Sequence, residues 1–145
     1  MFKKILVLCY GNICRSPAAE HSLRAKLDES FRIDSAGIGA LVGRSADATV
    51  QQIMKEKHQI DVSAHIAKQV TREMLSQFDL VLVMEQAHIE SVTQIAPEAR
   101  GKTKLLGSWI GNKEVPDPFK KAQEIYELAD EIIEQAVNSW LKFLN

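Results

Sequence analysis

Residues 4–17 read KILVLCYGNICRSP, and this stretch gives the strongest indication of the fold. The apolar run Ile5–Leu8 predicts a buried strand, because parallel strands that are covered on both faces are apolar throughout. Cys9 ends this strand, and Arg15 opens a helix in which Pro17 occupies the first turn, where a proline is tolerated. The stretch therefore predicts a strand, a short polar loop and a helix.

Further apolar runs along the chain predict three more strands, at Phe31–Ser35, Leu80–Met84 and Thr103–Leu106, with helical patterns between them. Alternating strands and helices predict an α/β fold with three layers, in which a four-stranded parallel sheet carries helices on both faces, as in flavodoxin-like and Rossmann-like proteins. In such sheets ligands bind beyond the carboxyl ends of the strands. Cys9 is predicted to stand at such an end.

Two helices have clear sequence signals. Ser45 is expected to cap a helix with Val50, Ile53 and Met54 on one face. From Ile125 to Leu144 apolar residues, Leu128 among them, recur at steps of three and four, which predicts a helix packed on the core.

The bulk composition is that of an ordinary globular protein. The 145 residues fit a single domain, 1–145, and the net charge of −1 gives no indication of binding to nucleic acid or insertion into a membrane. Two cysteines are too few for an extracellular disulfide framework, so we expect a reducing, cytoplasmic location.

The loop after Cys9 has the features of a phosphate site. Successive backbone N–H groups in such a loop and the N-terminus of the following helix both attract anions. The guanidinium of Arg15 offers a planar fork of donors to two phosphate oxygens. A thiolate nucleophile requires a low pKa, which a helix N-terminus and a neighbouring arginine promote. The alternative is that Cys9 is a buried structural thiol.

Cleavage of a phosphate ester also requires a proton donor for the leaving oxygen. Asp117 is the best candidate, because Pro116 and Pro118 hold the backbone on either side of it out of helix and sheet. An Asp-Pro pair is also common in ordinary turns, so this sequence alone leaves both interpretations open.

Taken together, these segments resemble the low-molecular-weight protein tyrosine phosphatases. The likeness rests on residues 9–17 and 117–118, and it extends to residues 34–37, 43–44 and 63–65, in the same order along the chain. The C-terminal half is most similar to bacterial members that act on tyrosine autokinases of capsule and exopolysaccharide export. The resemblance implies a tyrosine-phosphorylated protein as partner, in particular such an autokinase, and a monomer or weak oligomer.

The resemblance also implies roles for individual residues. Cys9 is the expected nucleophile, Arg15 the phosphate clamp and Asp117 the general acid. The expected substrate-binding residues are Tyr10, Gly11, Asn12, Ile13, Cys14, Ser16 and Phe119. The side chain of Asn12 is expected to bond to Ser16, Ser35 and His65 and so support the loop, while Ser16 also donates to the sulfur of Cys9. Tyr10 and Phe119 are the candidates for the wall around the substrate ring.

Cys14 has two interpretations. It either packs as a small side chain or traps an oxidised Cys9 as a reversible disulfide. The four histidines, His21, His58, His65 and His88, have no metal-ligand spacing in the sequence. A site without metal or cofactor is therefore expected.

Two other functions remain open at this stage. Arsenate reductases share the same scaffold, but their cysteine relay normally uses further thiols, and the chain has none beyond Cys9 and Cys14. A non-catalytic phosphotyrosine-binding module is the second alternative. It would not require both the thiol of Cys9 and the carboxyl group of Asp117.

Overall fold

The computed structural model describes residues 2–145. Their strands form one parallel sheet in the order β2-β1-β3-β4. The strands are β1 (Lys4–Cys9), β2 (Arg32–Gly37), β3 (Leu80–Val83) and β4 (Thr103–Leu105). The helices are α1 (Arg15–Lys26), α2 (Ala48–His58), α3 (Arg72–Ser76), α4 (Gln86–Ile95) and α5 (Gln123–Leu144). The predicted α/β fold with a four-stranded parallel sheet is confirmed.

The two faces of the sheet belong to two separate cores. Ile5 and Val7 of β1 point to the face covered by α1, α2 and α5, while Leu6 and Leu8 point to the face covered by α3 and α4. Side chains alternate across a strand, and here both faces are buried, so β1 is apolar at successive positions. This arrangement gives the expected three layers.

Helix α2 begins later than its sequence suggested. Its N-cap is Asp47 rather than Ser45, and one carboxylate oxygen of Asp47 accepts hydrogen bonds from the N–H groups of Thr49 and Val50. A carboxylate at this position pairs with N–H groups that lack a partner within the helix and also matches the positive end of the helix dipole. The prediction of Ser45 as the cap was therefore wrong.

Helix α5 confirms the prediction of a long core-facing helix, although one residue was misassigned. Ile132, Ile133 and Trp140 are buried, but 43% of Leu128 is exposed, so Leu128 lies outside the buried stripe. Neither α5 nor any other helix between residues 2 and 145 is both long and apolar enough to cross a membrane.

The order of the strands determines where a ligand can bind. From the central strand β1 the chain crosses to β2 on one side, and β3 and β4 then lie on the other side. Helices leaving the carboxyl ends of neighbouring strands in opposite directions open a crevice at this switch point. The loop of residues 10–14, which joins β1 to α1, lies at this crevice.

Candidate active site

The thiol of Cys9 is held at the base of the loop of residues 10–14. Only 2% of Cys9 is exposed. Its Sγ lies 2.9 Å from Oγ of Ser16 and accepts a hydrogen bond from the N–H of Asn12 at 3.3 Å. These two contacts fix the position of the sulfur at the base of the loop.

Asn12 organises this loop from the inside. Its backbone is left-handed, with φ of 60°, a conformation that asparagine adopts more readily than most residues. Its Nδ2 donates to Oγ of Ser16 (2.8 Å) and to Oγ of Ser35 (3.1 Å), while Oδ1 accepts from the N–H of Lys68 (3.0 Å). Because Ser16 accepts from Asn12, its own hydrogen is available for the sulfur of Cys9.

His65 supports the loop through a different atom from the one expected. Its Nε2 donates to the backbone carbonyl of Asn12 at 2.6 Å, rather than bonding to the side chain of Asn12. The side-chain oxygen of Asn12 is already used by the N–H of Lys68. The expectation of a side-chain bond between Asn12 and His65 was therefore wrong in this detail.

The support extends further than the sequence indicated. Oγ of Ser35 donates to Oε1 of Glu20 at 2.6 Å, and the side chain of Glu20 is almost completely buried. Glu20 thus ends a chain of hydrogen bonds that begins at the sulfur of Cys9 and passes through Ser16, Asn12 and Ser35. A glutamate in the middle of a helix gives no sequence signal of such a role, so the role of Glu20 was not foreseen.

Arg15 is buried and fixed at its far end by groups from other elements. Its Nη1 donates to Oε2 of Glu85 at 2.5 Å and to the carbonyl of Val115 at 2.9 Å, and its Nη2 lies 3.9 Å from Oδ2 of Asp117. A buried guanidinium is costly without such partners. Glu85 follows β3 by two residues, and its role was not foreseen because it depends on the pairing of β1 with β3.

Asp117 reaches the same place from the segment before α5. Its Oδ1 accepts a hydrogen bond from the N–H of Phe119 at 3.1 Å, a local turn that fixes the direction of the side chain. The side chain is 47% exposed, in contrast to Arg15 at 2%. A half-exposed carboxyl group beside a buried guanidinium can exchange protons with a bound substrate and with water.

One cavity contains the three residues with predicted catalytic roles. Tyr10, Leu41 and Phe119 supply bulky apolar groups to its wall, and more than half of Tyr10 is exposed. The side chains of Asn12 and Ser16, which were expected to bind substrate, point inward and do not line this cavity. Its lining consists of Cys9, Tyr10, Gly11, Ile13, Cys14, Arg15, Gly39, Leu41, Asp117 and Phe119.

Gly39 and Leu41 were not among the predicted site residues. A Cβ added at Gly39 would lie 2.5 Å from a ring carbon of Tyr10, so a larger residue there would displace the ring of Tyr10 from its present position. The N–H of Leu41 donates to the carbonyl of Gly11, which brings the side chain of Leu41 to the loop. Both residues reach the site because β2 pairs with β1.

Cys14 also lines the cavity, and the structure holds it and Cys9 as free thiols. Burial raises the pKa of the Cys14 thiol, and the negative charge of Asp47 adds to this effect. The thiol of Cys14 therefore remains protonated near neutral pH.

Comparisons with known proteins agree with this geometry. Residues 4–145 match the family model described as low molecular weight phosphotyrosine protein phosphatase. The low molecular weight protein-tyrosine-phosphatase Wzb of Escherichia coli K12 is 42% identical over 145 residues, which is 100% of this chain and 97% of Wzb. The probable phosphatase AmsI of Erwinia amylovora is 44% identical over 100% of this chain and 99% of AmsI.

Solved structures agree equally well. Vibrio vulnificus Wzb in complex with benzylphosphonate is 46% identical, with a TM-score of 0.94 over 99% of both chains. Wzb from Escherichia coli K30 in complex with phosphate is 43% identical, with a TM-score of 0.93 over 100% of both chains. The likeness thus covers the whole fold, including the elements that carry the cavity.

Proposed function

Since this chain belongs to the low molecular weight phosphotyrosine protein phosphatase family, we propose that it hydrolyses phosphotyrosine in proteins with Cys9 as nucleophile, Arg15 as phosphate clamp and Asp117 as general acid and base. One observation carries this assignment of roles. The sulfur of Cys9, the guanidinium of Arg15 and the carboxyl group of Asp117 line a single cavity at the carboxyl end of β1.

In the first step the Cys9 thiolate attacks phosphorus in line with the bond to the phenolic oxygen. A sulfur–phosphorus bond forms, and the phosphorus–oxygen bond to tyrosine breaks. Asp117 gives its proton to the departing oxygen, so tyrosine leaves as a neutral phenol. The product on the enzyme is a phosphocysteine.

In the second step water attacks phosphorus. Asp117, now a carboxylate, takes a proton from this water, the sulfur–phosphorus bond breaks, and the Cys9 thiolate returns as inorganic phosphate forms. The half-exposed position of Asp117 supports this exchange, because the same carboxyl group must reach both the leaving oxygen and a water molecule.

The transferred phosphoryl group carries its charge mainly on three equatorial oxygens. Stabilising that charge provides a large share of the catalysis of phosphoryl transfer. Arg15 is suited to this role because Glu85 and the carbonyl of Val115 fix its guanidinium before substrate binds. The N–H groups of residues 10–14 supply the remaining donors in this proposal.

The acid role of Asp117 predicts a dependence on the leaving group. We expect Asp117→Asn to lower kcat by about 10²- to 10⁴-fold for phosphotyrosine, whose phenol is a poor leaving group. The loss should be smaller for p-nitrophenyl phosphate, because nitrophenolate departs without a proton. Rates for a series of aryl phosphates would test this expectation, and an equal loss across the series would exclude Asp117 as the acid.

The hydrogen-bond chain behind the loop predicts a smaller effect. Ser35→Ala removes the acceptor of one N–H of Asn12 and the donor to Glu20, so we expect kcat to fall by about tenfold through loss of loop geometry. Ser139→Ala on α5, where the hydroxyl bonds only to a helix carbonyl, is the matched control. If both variants retained wild-type kcat, the network would be dispensable.

The proposed physiological substrate is a tyrosine autokinase of capsule or exopolysaccharide export, in the cytoplasm. Similarity to Wzb and AmsI over the whole chain supports this choice. The apolar wall of Tyr10, Leu41 and Phe119 supports an aromatic leaving group. We further propose that the chain acts as a single domain and as a monomer or weak oligomer. Dephosphorylation of a purified autokinase, with phosphoserine peptides as comparison, would test the substrate class.

A further inference from the structure

A second group of chemically active side chains lies behind the phosphate-binding loop. Glu20 and His21 come from α1, and His65 comes from the segment between α2 and α3. A carboxylate oxygen of Glu20 and one ring nitrogen from each histidine all lie within 4.8 Å of one another. The Nε2 of His21 is 3.9 Å from Oε2 of Glu20.

The hydrogen bond of His65 to the loop leaves one ring nitrogen that could bind a cation. Because Nε2 donates to the carbonyl of Asn12, Nδ1 is the ring nitrogen that is left for another partner. Within residues 2–145 no group donates a hydrogen bond to this Nδ1. Histidines that bind metals commonly donate their other ring N–H to a backbone carbonyl in this way. The ring of His65 is therefore oriented as it is in many metal ligands, with one nitrogen held by a carbonyl and the other unused.

These side chains line a cavity that is separate from the active site. Asp34 and Asp61 also line it, so with Glu20 it has three carboxylates, against two cationic side chains, Arg24 and Lys68. It shares no lining residue with the cavity that contains Cys9. Lys68 is paired with Asp34 and Arg24 with Glu20, so Asp61 is the one carboxylate in excess, and its charge favours a cation. Because the two cavities are separate, a bound phosphate would not obstruct this cation.

We propose that Glu20, His21 and His65 form a binding site for a divalent transition metal ion such as Zn²⁺. Two imidazoles and one carboxylate are a ligand set that Zn²⁺ accepts, with water in the remaining position. The ion would join α1 to the segment that carries His65. Glu20 of α1 contacts Asn12 through Ser35, and His65 bonds to the backbone carbonyl of Asn12. By linking Glu20 and His65, the ion would stabilise the loop of residues 10–14.

The cationic side chain of Arg24 already occupies part of the proposed metal site. The Nη2 of Arg24 lies 2.9 Å from Oε2 of Glu20 and also donates to the carbonyl of Ile33 at 2.6 Å. The side chain of Arg24 is about half exposed, so it can turn away into water. The metal ion and Arg24 therefore compete for Glu20, and removing Arg24 should strengthen metal binding.

The test uses the full chain with Cys9→Ser and Cys14→Ser, because thiolates bind Zn²⁺ themselves. Titration with Zn²⁺ against a chromophoric chelator should give about one ion per chain, and Zn²⁺ should raise the melting temperature. In NMR spectra of the imidazole nitrogens, Zn²⁺ should shift the signals of His21 and His65 and leave those of His58 unchanged. Absence of zinc uptake by this chain would overturn the proposal.

Three variants in the same background test the ligands. His21→Gln should weaken Zn²⁺ binding by at least about 100-fold, since a lost ligand costs no less than a lost supporting residue. Arg24→Gln should strengthen it by about two- to fivefold. His58→Gln, whose histidine bonds to Asp130 elsewhere, should leave the affinity unchanged. Undiminished binding in His21→Gln would overturn the site. This thiol-free chain lacks the proposed nucleophile, so the result does not depend on catalysis.

Discussion

Cys9→Ser is expected to lower kcat for p-nitrophenyl phosphate and phosphotyrosine peptides by about 10⁴-fold or more, to the background of the assay. A serine hydroxyl remains protonated at neutral pH, and the groups that face this position, the hydroxyl of Ser16 and the N–H of Asn12, do not include a base that could activate it. The substitution is nearly isosteric, so the loop and its network should remain intact.

Binding of an oxyanion provides the control for this variant. Since Arg15 and the loop N–H groups are unchanged, phosphate or vanadate should still raise the melting temperature of Cys9→Ser. Loss of activity together with retained oxyanion binding would assign the sulfur to the chemical step. More than about 1% residual kcat would contradict the role of Cys9 as nucleophile.

Arg15→Lys is expected to lower kcat/KM by about 10³-fold or more, although the charge is kept. Lysine presents a point charge, whereas the guanidinium offers two parallel N–H donors to two phosphate oxygens. In the wild type, Nη1 of Arg15 donates to both Glu85 and the carbonyl of Val115, which leaves Nη2 and Nε for the phosphate. The single ammonium group of a lysine cannot make all of these contacts in the same geometry. Both a fall in kcat and a rise in KM are expected, because the guanidinium contacts phosphate before and during transfer.

Arg100, which is exposed and does not line the cavity, gives the matched control. Arg100→Lys should leave both kcat and KM unchanged. If Arg15→Lys retained kcat/KM within about tenfold of wild type, general positive charge rather than directed hydrogen bonding would explain phosphate binding at this site.

The same assays separate the two other functions that the sequence left open. A phosphotyrosine-binding module would bind phosphotyrosine in the wild type without releasing phosphate, and Cys9→Ser would then change nothing. An arsenate reductase would reduce arsenate with a thiol donor. The similarity to tyrosine phosphatases over the whole length favours hydrolysis over both.

Much of the active site could be predicted because its main parts are adjacent in the sequence. Cys9 and Arg15 lie on either side of one loop, so strand, loop and helix together place the sulfur and the helix N-terminus at a common point. Asp117 could be proposed because two prolines restrict its backbone. Its position beside Arg15 depends on the path of the chain between β4 and α5, which no local pattern specifies.

The wrong predictions for Ser45 and for His65 both concern neighbouring groups that compete for the same hydrogen bond. Serine and aspartate are both good N-cap residues, so Ser45 and Asp47 were both possible. Helix α2 begins at Ala48, and Asp47 is therefore the N-cap. Asn12 and His65 were brought together as expected, but the N–H of Lys68 took the side-chain oxygen and left the backbone carbonyl for His65.

The sequence alone determined the α/β class, the buried central strand and the loop that carries Cys9, because these depend on the spacing of apolar residues and on neighbours along the chain. Which distant groups meet depends on how the strands and helices pack together. Parallel pairing of β1 with β2 and β3 brings Glu85 to Arg15 and Ser35 to Asn12, and packing of the segment after α2 brings His65 beside Glu20 and His21. Parallel strands are joined by long crossovers, so the residues that meet at their carboxyl ends are necessarily remote in sequence.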